Sequence, residues 1–291
     1  MKVIFGSCEN MEEIKDESVD LIVTSPPYYN APFDYPGLFE NYGTYLSFMT
    51  RVLKEMHRVL KRGRIACIVI DDIIVDGVKY PIVSDLWMNT RSIINSSLEL
   101  HDQADLKWIY RDRIVWRKPE GYIRTSRRSG VVVQHPYPMY YYPDNIQESI
   151  LIWQKGKHNH KAVSKDLKNL SGIDLERFQS EKWYLNVWDI TNVLPIPGRL
   201  EEDIAAFPPE IPFRLITLFS HKNEVVLDPF CGSGTTLAVA RDLDRQGIGY
   251  DVDKNLRTII REKVGGNVVF TERADSLEMR EKKRFDVAED F

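Results

Sequence analysis

With 291 residues, 43% of them hydrophobic and 28% charged, the chain has ordinary globular composition and room for one large domain or two small ones, which excludes disordered, collagen-like and low-complexity classes. The longest apolar run, near 65–70, is far short of the ~20 residues a membrane span needs, and no signal-peptide pattern follows Met1. The net charge of −4 is unevenly spread: 101–170 hold thirteen Lys and Arg against seven Asp and Glu, a basic region in an otherwise acidic chain.

Residues 2–6 read as a short strand and 11–16 as a helical turn. A buried strand over 19–23 runs into Thr24-Ser25-Pro26-Pro27-Tyr28, where consecutive prolines forbid a continuing ladder. After an aromatic loop over 29–43, apolar residues recur at three- and four-residue spacing from Tyr45 to Leu60, predicting an amphipathic helix with Gly63 as its C-terminal stop. The all-apolar run 65–70 predicts a strand buried on both faces, ending at Asp71-Asp72. A helix over 83–98, a strand over 108–116, an irregular loop over 117–145 and a strand over 148–153 follow. Residues 158–200 are polar and weakly periodic, the pattern of a small inserted region.

Next come a helix over 212–219 and a strand over 224–227 that leads into Asp228-Pro229-Phe230-Cys231-Gly232-Ser233-Gly234-Thr235-Thr236. A helix over 235–243, a strand over 247–250 ending at Asp251, and a helix over 255–262 complete the pattern. The tail 271–291, with twelve charged residues, reads as a frayed helix or mobile end. Alternating strands and helices predict a doubly wound, mostly parallel α/β sheet, in which ligands bind beyond the C-terminal ends of the strands. The expected division is 1–117 and 201–270 as two halves of one α/β domain, 118–200 as a contact and recognition region, and 271–291 as a tail.

The three cysteines, Cys8, Cys67 and Cys231, are widely separated, which argues against a disulfide framework and fits a reducing cytoplasm. Cys231 has no neighbouring base and reads as packing. His158 and His160 lack further spaced ligands, so no metal is expected.

The glycine-rich string combines a strand, a tight Gly-x-Gly turn and a helix start, whose N–H groups and partial positive charge suit a carboxylate or phosphate. It lacks Gly-Lys-Ser/Thr, which disfavours an ATP loop. Asp251, at the next strand end, is placed to accept from a ribose diol. The Ser25-Pro26-Pro27-Tyr28 turn gathers a hydroxyl, carbonyls that no regular ladder consumes, and a flat ring. Such acceptors beside a ring suit a planar exocyclic amine. In the basic region, Arg117, Lys118, Arg124, Arg127 and Arg128, interleaved with Trp116 and Tyr122, are candidates for contact with nucleic acid.

The two strings together resemble the S-adenosylmethionine-dependent amino-group DNA methyltransferases, with the catalytic string first and the cofactor string last, as in the permuted β-type order. Segments 205–211, 114–118 and 148–156 extend the similarity over most of 1–262. The resemblance implies a Rossmann-like methyltransferase fold. It implies that Ser25 and the Pro26 carbonyl hold the target amine within the Ser25-Pro26-Pro27-Tyr28 turn, and that Tyr28 stacks on the flipped base. It further implies a cofactor site formed by Asp228, Pro229, Phe230, Gly232, Ser233, Gly234, Thr235, Thr236 and Asp251, with Thr235 and Thr236 on the methionine carboxylate and Asp228 beside its amine. Phe207 and Pro208 would close over the methionine end. The family often has Gly-Asp near the chain start, the Asp bonding the cofactor adenine; here the pair is Gly6-Ser7.

A Ser before Pro-Pro-Tyr is more typical of cytosine-N4 enzymes than of adenine-N6 enzymes. The expected function is therefore site-specific cytosine-N4 methylation of double-stranded DNA, paired functionally with a cognate restriction endonuclease, with adenine-N6 methylation as the alternative. The residues themselves leave open an RNA or protein-amide methyltransferase and a non-catalytic binding module.

Overall fold

The computed structural model describes residues 1–30, 38–95, 108–119, 130–141, 143–159, 163–192 and 207–276. Its centre is a nine-stranded sheet built from β1 (Lys2–Phe5), β2 (Val19–Thr24), β3 (Leu60–Ile70), β6 (Trp108–Arg117), β7 (Gln147–Lys155), β8 (Val187–Asp189), β9 (Val225–Asp228), β10 (Gln246–Asp251) and β11 (Val269–Glu272). A separate hairpin pairs β4 (Ile73–Val75) with β5 (Val78–Tyr80). The helices are α1 (Tyr42–Val59), α2 (Ile82–Asn95), α3 (Gly130–Gln134), α4 (Lys165–Leu170), α5 (Leu175–Ser180), α6 (Glu210–Phe219), α7 (Thr235–Asp242) and α8 (Arg257–Val264).

The strand order is β11-β1-β10-β9-β2-β3-β7-β6-β8, parallel except for β7, which runs antiparallel between β3 and β6. This is the doubly wound sheet expected from the alternation. From β9 the chain passes through α7 to β10 on one side, and from β2 through α1 to β3 on the other. The direction of winding therefore reverses between β9 and β2, the place where open α/β sheets present a ligand crevice. Leu21↔Val226 and Ile22↔Leu227 fix the register of these two strands.

Side-chain alternation along the central strands divides the core. Ile22, Ala66, Ile68, Ile70, Leu151 and Trp153 pack on the α1 side with Tyr45, Met49, Val52 and Met56. Leu21, Val23, Ile65, Cys67, Val69, Ile150 and Ile152 pack on the other with Ile211 and Leu215 of α6. Burial on both faces explains the unbroken apolar run of β3.

Several local expectations change. Residues 11–16 form a turn closed by Ile14 N–H to the Met11 carbonyl at 2.9 Å, not a helical element. The helix α1 stops at Val59, and Gly63 lies inside β3 with φ +80°, where the β2–β3 register is irregular. The C-terminal carbonyls of α1 are instead capped by a buried ammonium. Lys155 Nζ donates to the His57 and Leu60 carbonyls at 2.8 Å each and pairs with Glu17 at 3.0 Å. At Gly63 a Cβ would come within 2.8 Å of the His158 Cα and the Lys157 carbonyl.

Within 158–200, the segment expected as a small insertion, β8 joins the main sheet as its edge strand beside β6, and β7, expected as a strand, is an interior strand. Residues 271–272 of the expected tail complete the edge strand β11 on β1. Residues 277–291 lie outside the described residues, as does the end of the helix expected to 98. Among the described residues no helix is long and apolar enough to cross a membrane.

Candidate active site

The glycine-rich turn sits at the C-terminal end of β9, as its sequence dictates. Gly232 and Gly234 both adopt positive φ, +49° and +85°. Gly234 is the N-cap of α7, and a Cβ there would lie 2.9 Å from Val264. The chain thus enters α7 through a left-handed residue, which brings the helix N-terminus and its N–H dipoles to the strand edge. Lys263 Nζ donates to Ser233 Oγ at 2.6 Å and Thr235 Oγ1 at 3.1 Å, adding positive charge to the same helix start.

Two carboxylates flank the turn. Asp251 closes β10 and accepts from Gly232 N–H and Asp253 N–H, both at 2.9 Å. Asp228 closes β9 and accepts from the Thr24 hydroxyl at 2.7 Å and from Phe230 N–H at 3.1 Å. Burial pushes each carboxyl up to about 6, against the hydrogen bonds that favour the charged form. Each carboxylate oxygen has two acceptor sites, so both groups retain capacity for a ligand.

The Thr24–Asp228 bond joins two motifs 204 residues apart. It places Ser25, Pro26, Pro27 and Tyr28, directly after β2, at the same strand edge as the glycine turn. Pro26 is buried, and Ser25, Pro27 and Tyr28 are partly buried. Phe230 packs 6.0 Å from Phe48 of α1, between the cofactor turn and an aromatic cluster of Tyr29, Phe39, Tyr42 and Tyr45. Tyr28 Oη donates to Glu148 Oε2 at 2.9 Å. Burial and the Glu148 carboxylate push the Tyr28 phenol far above its ordinary value, so it stays a donor.

Phe207 and Pro208 precede α6, with Phe207 packed against the α6-side core. Cys231 and Cys8 are buried, and burial raises both thiols well above their ordinary value, the state of inert packing cysteines. Arg117 forms a two-point ion pair with Asp189 across β6 and β8. Lys118 pairs with Glu148 and lies 4.7 Å from the Trp116 ring centroid. Arg124, Arg127, Arg128 and His160 lie outside the described residues.

Sequence reasoning left several residues of this edge without a role. Asp71, buried at the end of β3, accepts from Asn145 Nδ2 at 2.9 Å, and burial raises its carboxyl. Glu148, read only as the start of a strand, reaches Tyr28. Lys263 gave no sequence signal, because it approaches the glycine turn from α8. At the chain start, Ser7 N–H donates to Asp275 Oδ2 at 3.2 Å, so a carboxylate from the far end of the chain stands beside the Gly6-Ser7 pair.

Comparison with known proteins agrees with this geometry. A family model for N6/N4 DNA methylases matches residues 19–262. The type II methyltransferase M.MjaI of Methanocaldococcus jannaschii is 33% identical, with the match spanning 91% of each chain. A candidate DNA modification methylase of Thermus thermophilus, TTHA0409, solved with S-adenosyl-L-methionine, superposes with a TM-score of 0.70 at 25% identity over 94% of this chain and 98% of its own. The cytosine-N4-specific PvuII DNA methyltransferase shares the fold, with a TM-score of 0.58 at 16% identity over 94% and 95% of the two chains.

Proposed function

This chain belongs to the N6/N4 DNA methylase family, and from that premise we propose that it methylates the exocyclic N4 amine of a cytosine in double-stranded DNA, protecting sites from a cognate restriction endonuclease. Methyl transfer is supported by the 2.7 Å bond from Thr24 to Asp228, which joins the Ser25–Tyr28 turn and the glycine-rich turn at one edge, and the choice of cytosine by Ser25 before Pro26-Pro27-Tyr28. S-adenosylmethionine supplies the methyl group as an electrophilic sulfonium substituent. The site fits it: a left-handed glycine at a helix start for the carboxylate, and at the neighbouring strand end a carboxylate with acceptor capacity for the ribose hydroxyls. In this reading Phe230, Gly232 and Gly234 cradle the cofactor, and the Lys263-bonded Ser233 and Thr235 line the helix start with Thr236.

Ser25 Oγ and the Pro26 carbonyl accept hydrogen bonds from the target amine. Those bonds favour the pyramidal amine, localising on nitrogen the lone pair that attacks the methyl. Extruding the base costs a few kcal/mol. Stacking on Tyr28, worth roughly 1–3 kcal/mol in single-strand systems, offsets part of it. Arg117, Arg124, Arg127 and Arg128 belong to the basic region that faces DNA in this reading.

Digestion of DNA from a host expressing the protein, followed by mass identification of the modified nucleoside, tests the proposal. N4-methyl-2′-deoxycytidine is the expected product; N6-methyl-2′-deoxyadenosine would overturn the cytosine assignment and keep the family, and no modified nucleoside would overturn both the base and the activity.

A further inference from the structure

Tyr28 follows two prolines whose fixed φ stiffens the chain leading to it, and its ring packs against the α1-side core while its hydroxyl is held by a further group. The holding group is Glu148, 120 residues away. Its Oε2 accepts from Tyr28 Oη at 2.9 Å, and its Oε1 pairs with Lys118. Lys118 rests over the Trp116 ring, and the Trp116 indole N–H donates to the Ile190 carbonyl at 2.7 Å. Trp116 and Glu148 are direct cross-strand partners on β6 and β7. The start of β7 is itself fixed, since Asn145 bridges Asp71 at 2.9 Å and the Gln147 N–H at 3.2 Å. A chain of packed and bonded groups therefore runs from the β6 edge to the Tyr28 hydroxyl. It also accounts for the Lys118 charge: the ammonium is partly buried and neutralised by Glu148, which leaves it poorly suited to a phosphate.

We propose that Glu148, held by Lys118, is a positioning residue that locks the Tyr28 ring in place as the stacking wall for the extruded base, so that both residues act on methyl transfer through Tyr28 and not as contacts to the DNA backbone. The inference rests on the assignment of Tyr28 to the target base. It refines the expectation that Lys118 binds DNA, and it gives the antiparallel placement of β7 a purpose in the reaction.

The test is a mutant cycle on single-turnover methyl transfer with wild-type protein, Tyr28→Phe, Glu148→Ala, the double variant, Glu148→Gln and Lys118→Met. Binding of S-adenosylhomocysteine by each variant reports on folding. Loss of one charge-assisted hydrogen bond corresponds to a slowing of roughly tenfold or more. Tyr28→Phe and Glu148→Ala should each slow transfer by that order, and the double variant should be no slower than the worse single variant. Glu148→Gln, whose amide oxygen still accepts from the phenol, should recover part of the rate. Lys118→Met should leave the salt dependence of DNA affinity unchanged. Multiplying effects in the double variant would overturn the inference, as would a salt slope reduced by about one in Lys118→Met, the mark of a lost phosphate contact. Wild-type protein that transfers no methyl group would refute the underlying reading instead, so the two failures are separable. If a variant loses S-adenosylhomocysteine binding, the remaining arms, each bound normally, decide the outcome.

Discussion

Asp228, buried, and Asp251, partly buried, flank the glycine turn and should make cofactor binding sensitive to pH just below neutrality. Burial moves Asp228 and Asp251 from 3.8 to about 6, each a difference worth about 3 kcal/mol between the two protonation states. Without ligand, the folded chain holds these protons more tightly than the unfolded chain. Their contribution to stability is therefore present below pH 3.8 and is lost as pH rises through 6. Cofactor affinity has the opposite sign, since ribose hydroxyls and an ammonium both favour ionised carboxylates. A carboxyl with a value near 6 goes from about nine-tenths ionised at pH 7 to about one-tenth at pH 5. Affinity should fall about tenfold if one carboxylate carries the effect, and by about a hundredfold if both do. The Asp228 charge adds only a minor upward push on Asp251, so each carboxyl titrates largely by itself.

Calorimetry with S-adenosylhomocysteine between pH 5 and 8 measures the effect without turnover. Asp251→Asn should reduce the dependence to that of a single group. Thr24→Val removes the hydroxyl that favours ionised Asp228, so the midpoint should move to higher pH. Equal affinity at pH 5 and 7, or a dependence that stays well above about tenfold in Asp251→Asn, would refute the argument.

Three further outcomes are expected. Ser25→Ala should lower the rate of methyl transfer by an order of magnitude or more while leaving S-adenosylhomocysteine affinity intact, as one lost acceptor implies; equal turnover removes Ser25 from the mechanism. Lys155→Met strips two buried carbonyls at the end of α1 of their donor and should cost about 2–4 kcal/mol in urea unfolding; a change below about 1 kcal/mol would show that the α1 terminus finds other partners. Gly63→Ala combines a left-handed φ with a 2.8 Å clash against backbone and should destabilise by more than about 1 kcal/mol in the same assay.

The sequence by itself determined whatever depends on neighbours a few residues apart. Consecutive prolines end β2 at Thr24, glycines carry the chain from β9 into α7, and the all-apolar run 65–70 makes that part of β3 fully buried. These constraints act through φ, hydrogen-bond capacity and hydrophobic period, so the two turns and the doubly wound class were both legible. Gly63 misled because a positive φ serves a helix stop and an irregular strand equally well; only the approach of 157–158 to β3 distinguishes them. The edge strand β11 is four residues long and exists because β1 offers it an open edge.

Charge pairing was beyond the sequence for a related reason. Arg117 meets Asp189 and Lys118 meets Glu148 only after nine strands have taken their order and register. A basic cluster read along the chain says how much charge is present, and the tertiary structure decides which of it is already neutralised. The contact from Thr24 to Asp228 belongs to the same class: each motif could be recognised alone, but their meeting required β2 to pair with β9 across some two hundred residues of intervening chain.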